Sequence, residues 1–253
     1  MQVKNIPTVS LFKFEELGTV QEISSKINNK KLDGKWLTSR PSKYSKNEVF
    51  IQYWQYEDVE ESVKKVFAEE DADEIVSFLK ENGKTKVLKR TYCFINVLTK
   101  TLEIYRGYDT KTLEIVSVLQ NFLKTKFTRV NINSEGLKKI YSNYSSELRQ
   151  VMFKNVSGLI YEILRGNLLE KNDKYQDYLR KFPEALRVIS FKPKIRFLNG
   201  YNKYQVTING DRGTVKFSDN GIFHWRPRFE IRQVTFFIAS TLGLLKLSAP
   251  KEA

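Results

Sequence analysis

One histidine and one cysteine among 253 residues exclude much of the chemistry a chain of this size could carry. Cys93 has no second cysteine to pair with, so neither an intrachain disulfide nor a cysteine-based zinc site can form. The expected setting is reducing, intracellular and cytoplasmic. His224 is the only imidazole available to a Ser-His or Cys-His arrangement. It lies in "IFHWRPRF" with no G-x-S-x-G elbow elsewhere, so no catalytic residue is assigned. "NGKT" at 82–85 lacks the glycine that a phosphate loop requires five residues before Gly83; Phe78 stands there. No apolar run approaches the roughly 20 residues of a membrane-spanning helix. The N-terminus has no basic stretch leading into an apolar core and cleavage site, so no signal peptide is expected. Neither a cofactor nor a resident metal is implied.

Positive charge and aromatic carbon are abundant instead. The chain holds 43 Lys and Arg against 29 Asp and Glu, a net +14, with 17 Phe and 13 Tyr. The charge is uneven. Residues 57–82 hold ten acids and three bases, a balance of −7, which leaves +21 on the remainder. A basic body with one acidic segment is the electrostatic footprint of a protein that meets a polyanion, and nucleic acid (DNA or RNA) is the expected partner. A membrane is not. Two readings from other classes compete. One is a protein–protein or self-assembly module that pairs the acidic and basic surfaces. The other is a metal-dependent nuclease using Glu69, Glu70, Asp71, Asp73 and Glu74. Adjacent carboxylates on a helix point in different directions, which weakens the second.

Periodicity predicts an α+β fold of antiparallel sheets, each backed by a helix. The first 18 residues read as a short strand and loop, and 19–47 as a short helix followed by a loop or arm. "EVFIQYWQY" (48–56) reads as a strand. Val59, Val63 and Val66, then Ile75, Phe78 and Leu79, recur at helical spacing until Gly83. Residues 86–98 and 101–107 form a hairpin, followed by a helix capped by Asp109 or Thr110. Leu137, Ile140, Leu148, Val151, Ile160 and Leu164 suggest a helical stretch over 134–166. From 187 the period changes to two, with Asn-Gly turns at 199, 209 and 220: a four-stranded meander, then a helix from Arg228. The resulting organisation is an N-terminal α+β unit (1–130), a helical insert (131–185) and a C-terminal meander plus helix (186–253).

Segments 86–126 and 187–247 share this layout of strands followed by a covering helix, without sequence identity. The layout, typified by "TKTLEIYRGYDTKTLEIVSVLQNFL", resembles the TATA-binding-protein type of fold. The resemblance covers about 100 of the 253 residues and implies a curved sheet with helices on its convex side. It is a guide to architecture, and function is argued from side chains.

Strand alternation then sorts the faces. Tyr204, Val206, Ile208, Val215, Phe217, Phe223 and Trp225 share the apolar parity. Gln205, Thr207, Asn209, Thr214, Lys216, Ser218, His224 and Arg226 share the other. Lys192, Lys194 and Arg196 alternate on the preceding strand. Lys192, Lys194, Arg196, Lys216, His224, Arg226 and Arg228 are therefore the candidate nucleic-acid contacts, rich in donors for phosphate and base edges. On the first hairpin, Tyr92, Phe94 and Tyr105 share the outward parity with Asn96 and Glu103, and are candidates for stacking on bases.

Overall fold

The computed structural model describes residues 8–64, 67, 69–194, 204–218 and 228–241. It is an α+β protein built on one large antiparallel sheet. In the first half, β1 (Thr8–Lys13) leads to α1 (Val20–Ile27), β2 (Lys30–Leu32), β3 (Lys35–Pro41) and β4 (Glu48–Asp58). Then come the acidic helices α2 (Val59–Lys64) and α3 (Glu69–Glu81), the hairpin β5 (Lys86–Asn96) and β6 (Thr101–Ile104), and α4 (Thr110–Leu123). The second half runs through β7 (Thr128–Arg129), α5 (Ser134–Tyr144), β8 (Ser145–Val156), β9 (Leu159–Arg165) and α6 (Asp173–Lys181). It closes with β10 (Leu186–Pro193), β11 (Gln205–Asn209), β12 (Thr214–Ser218) and α7 (Arg228–Thr241). The strand order is β2-β3-β4-β5-β6-β1-β12-β11-β10-β8-β9, with β7 also paired to β1.

Local chemistry explains most boundaries. Thr19 and Glu22 form a reciprocal capping box at the start of α1: the Thr19 backbone N–H donates to Glu22 Oε2 at 2.7 Å. Asp109 caps α4, accepting from the Thr112 N–H at 2.8 Å. Gly83, at φ 71°, ends α3 as the sequence suggests.

Two expectations are corrected. Residues 19–47 are not a helix and arm, because "KKL" and "KWLTSRP" pair as β2 and β3 and complete the sheet edge. The helical stretch over 134–166 ends at Tyr144, and 145–165 is the hairpin β8–β9. Leu148 and Val151 mimic one helical turn because β8 is bulged against β10, where the register shifts between Ser190 and Phe191. Both residues consequently end up in one core.

The first strand of the chain lies at the centre of the sheet. β1 pairs with β12 through Thr8–Ser10 and with β6 through Ser10–Lys13, with no register break. Val9 and Leu11 enter a core with β8, β10, β11, β12, α5 and α7, whereas Phe12 and Phe14 enter a core with β3–β6, α1 and α4. Odd and even positions of a strand face opposite sides. The two cores therefore lie on opposite faces of the shared sheet. The resemblance to a saddle with all helices on one side does not extend to this arrangement. Each half leaves its other face open.

α7 crosses the divide. Its Ile231, Val234 and Ile238 join the second-half core, while Arg232 reaches the open face of the first half. There the guanidinium pairs with Glu48, stands 3.7 Å from Glu103 and stacks 3.8 Å over the Phe94 ring. Desolvation lowers Arg232 to about 10, so it stays charged at neutral pH. One cation faces two buried carboxylates, and burial raises Glu103 to about 7, against hydrogen bonds from Tyr105 and Thr235 that lower it. The folded protein thus holds a proton on Glu103 that the unfolded chain releases near 4.5. This site's contribution is complete below that pH and is lost as pH rises to about 7, by at most about 3 kcal/mol. Glu103→Gln is expected to remove the corresponding decline. Urea midpoints of both proteins at pH 5 and pH 8 check this, and equal pH slopes would refute it.

Candidate nucleic-acid interface

The open face of the second half is polar, as alternation implies. Thr8, Lys216, Thr207 and Ser190 stand in register across β1, β12, β11 and β10. Beside them, Ser10, Thr214, Asn209 and Val188 form a second row. Ser190 and Thr207 hydroxyls are 2.7 Å apart, and the Gln205 amide donates to Ser190. The Asn209 side chain accepts from the Arg212 N–H at 3.0 Å, which shapes the β11–β12 turn and brings Arg212 to the same side. A cleft of about 310 Å³ opens there, lined by Thr8, Asp109, Asn209, Arg212 and Lys216 among others.

The candidate cations fare differently. Lys216 is exposed beside this cleft and, among the described residues, forms no ion pair; the same holds for Arg212. Lys194 is exposed, its backbone N–H donating to the Tyr144 carbonyl at 2.6 Å. Lys192 is not a free donor: its ammonium pairs with Glu147 at 2.8 Å. Lys192 and Arg149 together hold the Glu147 carboxyl below its ordinary range. Arg187 and Lys154 both pair with Asp211. Arg196, His224 and Arg226 lie outside the described residues, as does the Trp225 assigned to the core; Arg228 opens α7 and its side chain is not described.

The open face of the first half carries the aromatic residues. Tyr92, Phe94 and Tyr105 do share one side, but α7 covers part of it. Phe94 is 3% exposed under Arg232 and is unavailable for stacking on a ligand, and Tyr105 is half-buried, donating to Glu103 at 3.0 Å. Sequence parity could not reveal this, because the covering helix comes from the far end of the chain. Tyr92 instead belongs to a larger array. Trp36 stacks on Trp54 at 5.8 Å and 5°, and Tyr56 leans on Trp36 at 5.7 Å. The Arg90 guanidinium stands 4.9 Å from Trp54 and 4.6 Å from Tyr92. Tyr92 stacks on Phe50 at 5.8 Å, and Arg40 lies 5.4 Å over Phe50. The alternations Trp36-Thr38-Arg40 and Phe50-Gln52-Trp54-Tyr56 carry the signal, but the first was hidden in a stretch that reads as a loop.

Cys93 is buried between β4 and β6, and burial pushes its thiol upward, so it is an inert core residue. The acidic hairpin α2–α3 packs on β4 and β5 through Val59, Val63, Ala72 and Val76. Glu60 binds Lys64 and Lys80 at 2.9 and 2.8 Å, which holds its carboxyl down at about 2. Among the described residues no group of three or more His, Cys, Asp or Glu is gathered as a metal site would require, and no helix is long and apolar enough to cross a membrane. No protein-family pattern matches the chain, and no curated protein matches it at a significant level.

Proposed function

We propose that this chain is a non-enzymatic nucleic-acid-binding protein whose phosphate contacts come from the open polar face of the second half. The observation that carries the reading is the row of Thr, Ser and Asn side chains flanking Lys216 and Arg212, two cations with no acidic partner among the described residues. Neutral donors orient a phosphodiester and unpaired cations release its counterions on binding. The +21 carried outside residues 57–82 supplies the long-range attraction.

Lys194→Glu with Lys216→Glu is expected to weaken binding to DNA and RNA of any sequence. It should also flatten the salt dependence by about one unit of slope per lost phosphate contact. Electrophoretic titrations at two salt concentrations check both. Salt-independent or absent binding by the wild type, or unchanged binding by the folded variant, would overturn the reading.

A second reading rests on the exposed acids of α3, Glu69, Asp71 and Glu74. They would dock on the basic face of another copy or of a partner protein. Sedimentation that shows self-association at low salt, abolished by neutralising these three, would favour it.

A further inference from the structure

We infer that the aromatic array on the open face of the first half is a stacking platform for single-stranded nucleic acid. The inference rests on the nucleic-acid reading of the chain but not on the polar face as its site, since the two surfaces lie on opposite sides of the sheet.

Three observations carry it. The rings and guanidiniums form one continuous series: Tyr56, Trp36, Trp54, Arg90, Tyr92, Phe50, Arg40. Tyr56 is 54% exposed, Arg40 and Arg90 are exposed, and Trp36, Trp54, Tyr92 and Phe50 are half-buried. Sheet-core packing would place such rings inward; here that role belongs to Leu37, Ile51, Tyr53 and Cys93 on the other side of the same strands.

The charge on this face is also one-sided. By strand parity it carries Lys31, Arg40, Lys86 and Arg90. Its acids stand at the ends of β4. Glu48 is neutralised by Arg232, and Asp58, opposite Lys86, accepts from the Glu60 N–H at the start of α2. The middle rungs hold cations, aromatics, Thr38 and Gln52, with no carboxylate.

Finally, a cleft of about 550 Å³ opens at the exposed end of the series. It lies between the β2–β3 turn and the Trp36 and Tyr56 rings, with Lys31 on its wall. Cations that track a backbone, interleaved with rings whose π-faces accept any base, are the elements of sequence-tolerant single-strand binding. A duplex presents phosphates but keeps its bases stacked internally, so it can use the cations and not the rings.

The test compares a 20-nucleotide oligothymidine with a 20-base-pair duplex, read by tryptophan fluorescence and by anisotropy of a labelled strand. Trp36 and Trp54 are two of the three tryptophans, so a stacked base should quench emission. Wild type is expected to bind the single strand at least about tenfold more tightly than the duplex. Trp54→Ala with Tyr92→Ala should lose about tenfold or more per ring on the single strand, with little change on the duplex. Tyr56→Ala and Arg90→Ala, both at exposed positions, give the same direction without threatening the fold, and Tyr92→Phe should retain binding.

Equal affinity of wild type for both ligands, or array variants that bind the single strand like wild type, would overturn the inference. If the array variants are silent while Lys194→Glu/Lys216→Glu lose binding, the inference falls and the polar face stands. The reverse pattern supports the array and removes the polar face. Array variants that change the oligomeric state and not nucleic-acid binding would mark the surface as a protein interface and also overturn it.

Discussion

Arg232→Met is expected to lower stability by about 3–5 kcal/mol, because it leaves the buried Glu48 without its counter-charge beside Glu103. For a chain of this length that is a fall in melting temperature of roughly 6–20 °C. Methionine keeps most of the side-chain volume and the contact with Phe94, so the loss reports charge more than packing. The triple variant Arg232→Met, Glu48→Gln, Glu103→Gln supplies the control. It removes the whole charge cluster and should recover most of the lost stability, since a buried ion pair contributes little over a neutral replacement. If Arg232→Met melts like wild type, α7 is not held to the first half by this contact.

Leu11→Ala and Phe12→Ala are adjacent in sequence but belong to opposite cores. Each residue is 2% exposed, and the expected losses are about 2–5 and 3–5 kcal/mol. β1 bonds to both β6 and β12, so neither half keeps its central pairing when this strand leaves. Each variant should therefore unfold the whole sheet in one transition. Circular dichroism and tryptophan fluorescence followed together in urea check this, because all three tryptophans, Trp36, Trp54 and Trp225, need not report the same region. Two separated transitions in either variant would mean that the halves fold independently.

Much of the secondary structure was legible because its causes are local. Asp109 caps α4, Gly83 ends α3 and Asn209 shapes a tight turn, and each effect spans only a few residues. The parity of β11 and β12 was equally legible, since Val206, Ile208, Val215 and Phe217 alternate without interruption. Where a bulge broke alternation in β8, the spacing of Leu148 and Val151 imitated a helix and the period was misread. The short, polar β2 and β3 gave too little apolar signal to stand out from a loop; their pairing with β4 makes them strands.

The candidate site divides in the same way. The sequence by itself determined that the chain is basic outside one acidic segment, that β11 and β12 present a polar side, and that thiol, disulfide and histidine-rich chemistry are unavailable. Those follow from composition and from a side-chain period of two. Only the tertiary structure decided that β1 lies at the centre of the sheet and that the two cores sit on opposite faces. It also decided that Lys192 is occupied by Glu147, that Phe94 is covered by Arg232, and that Trp36, Trp54, Arg90 and Tyr92 stand together. Each of these depends on pairing between segments distant in the chain, and neither parity nor composition encodes which strand becomes whose neighbour.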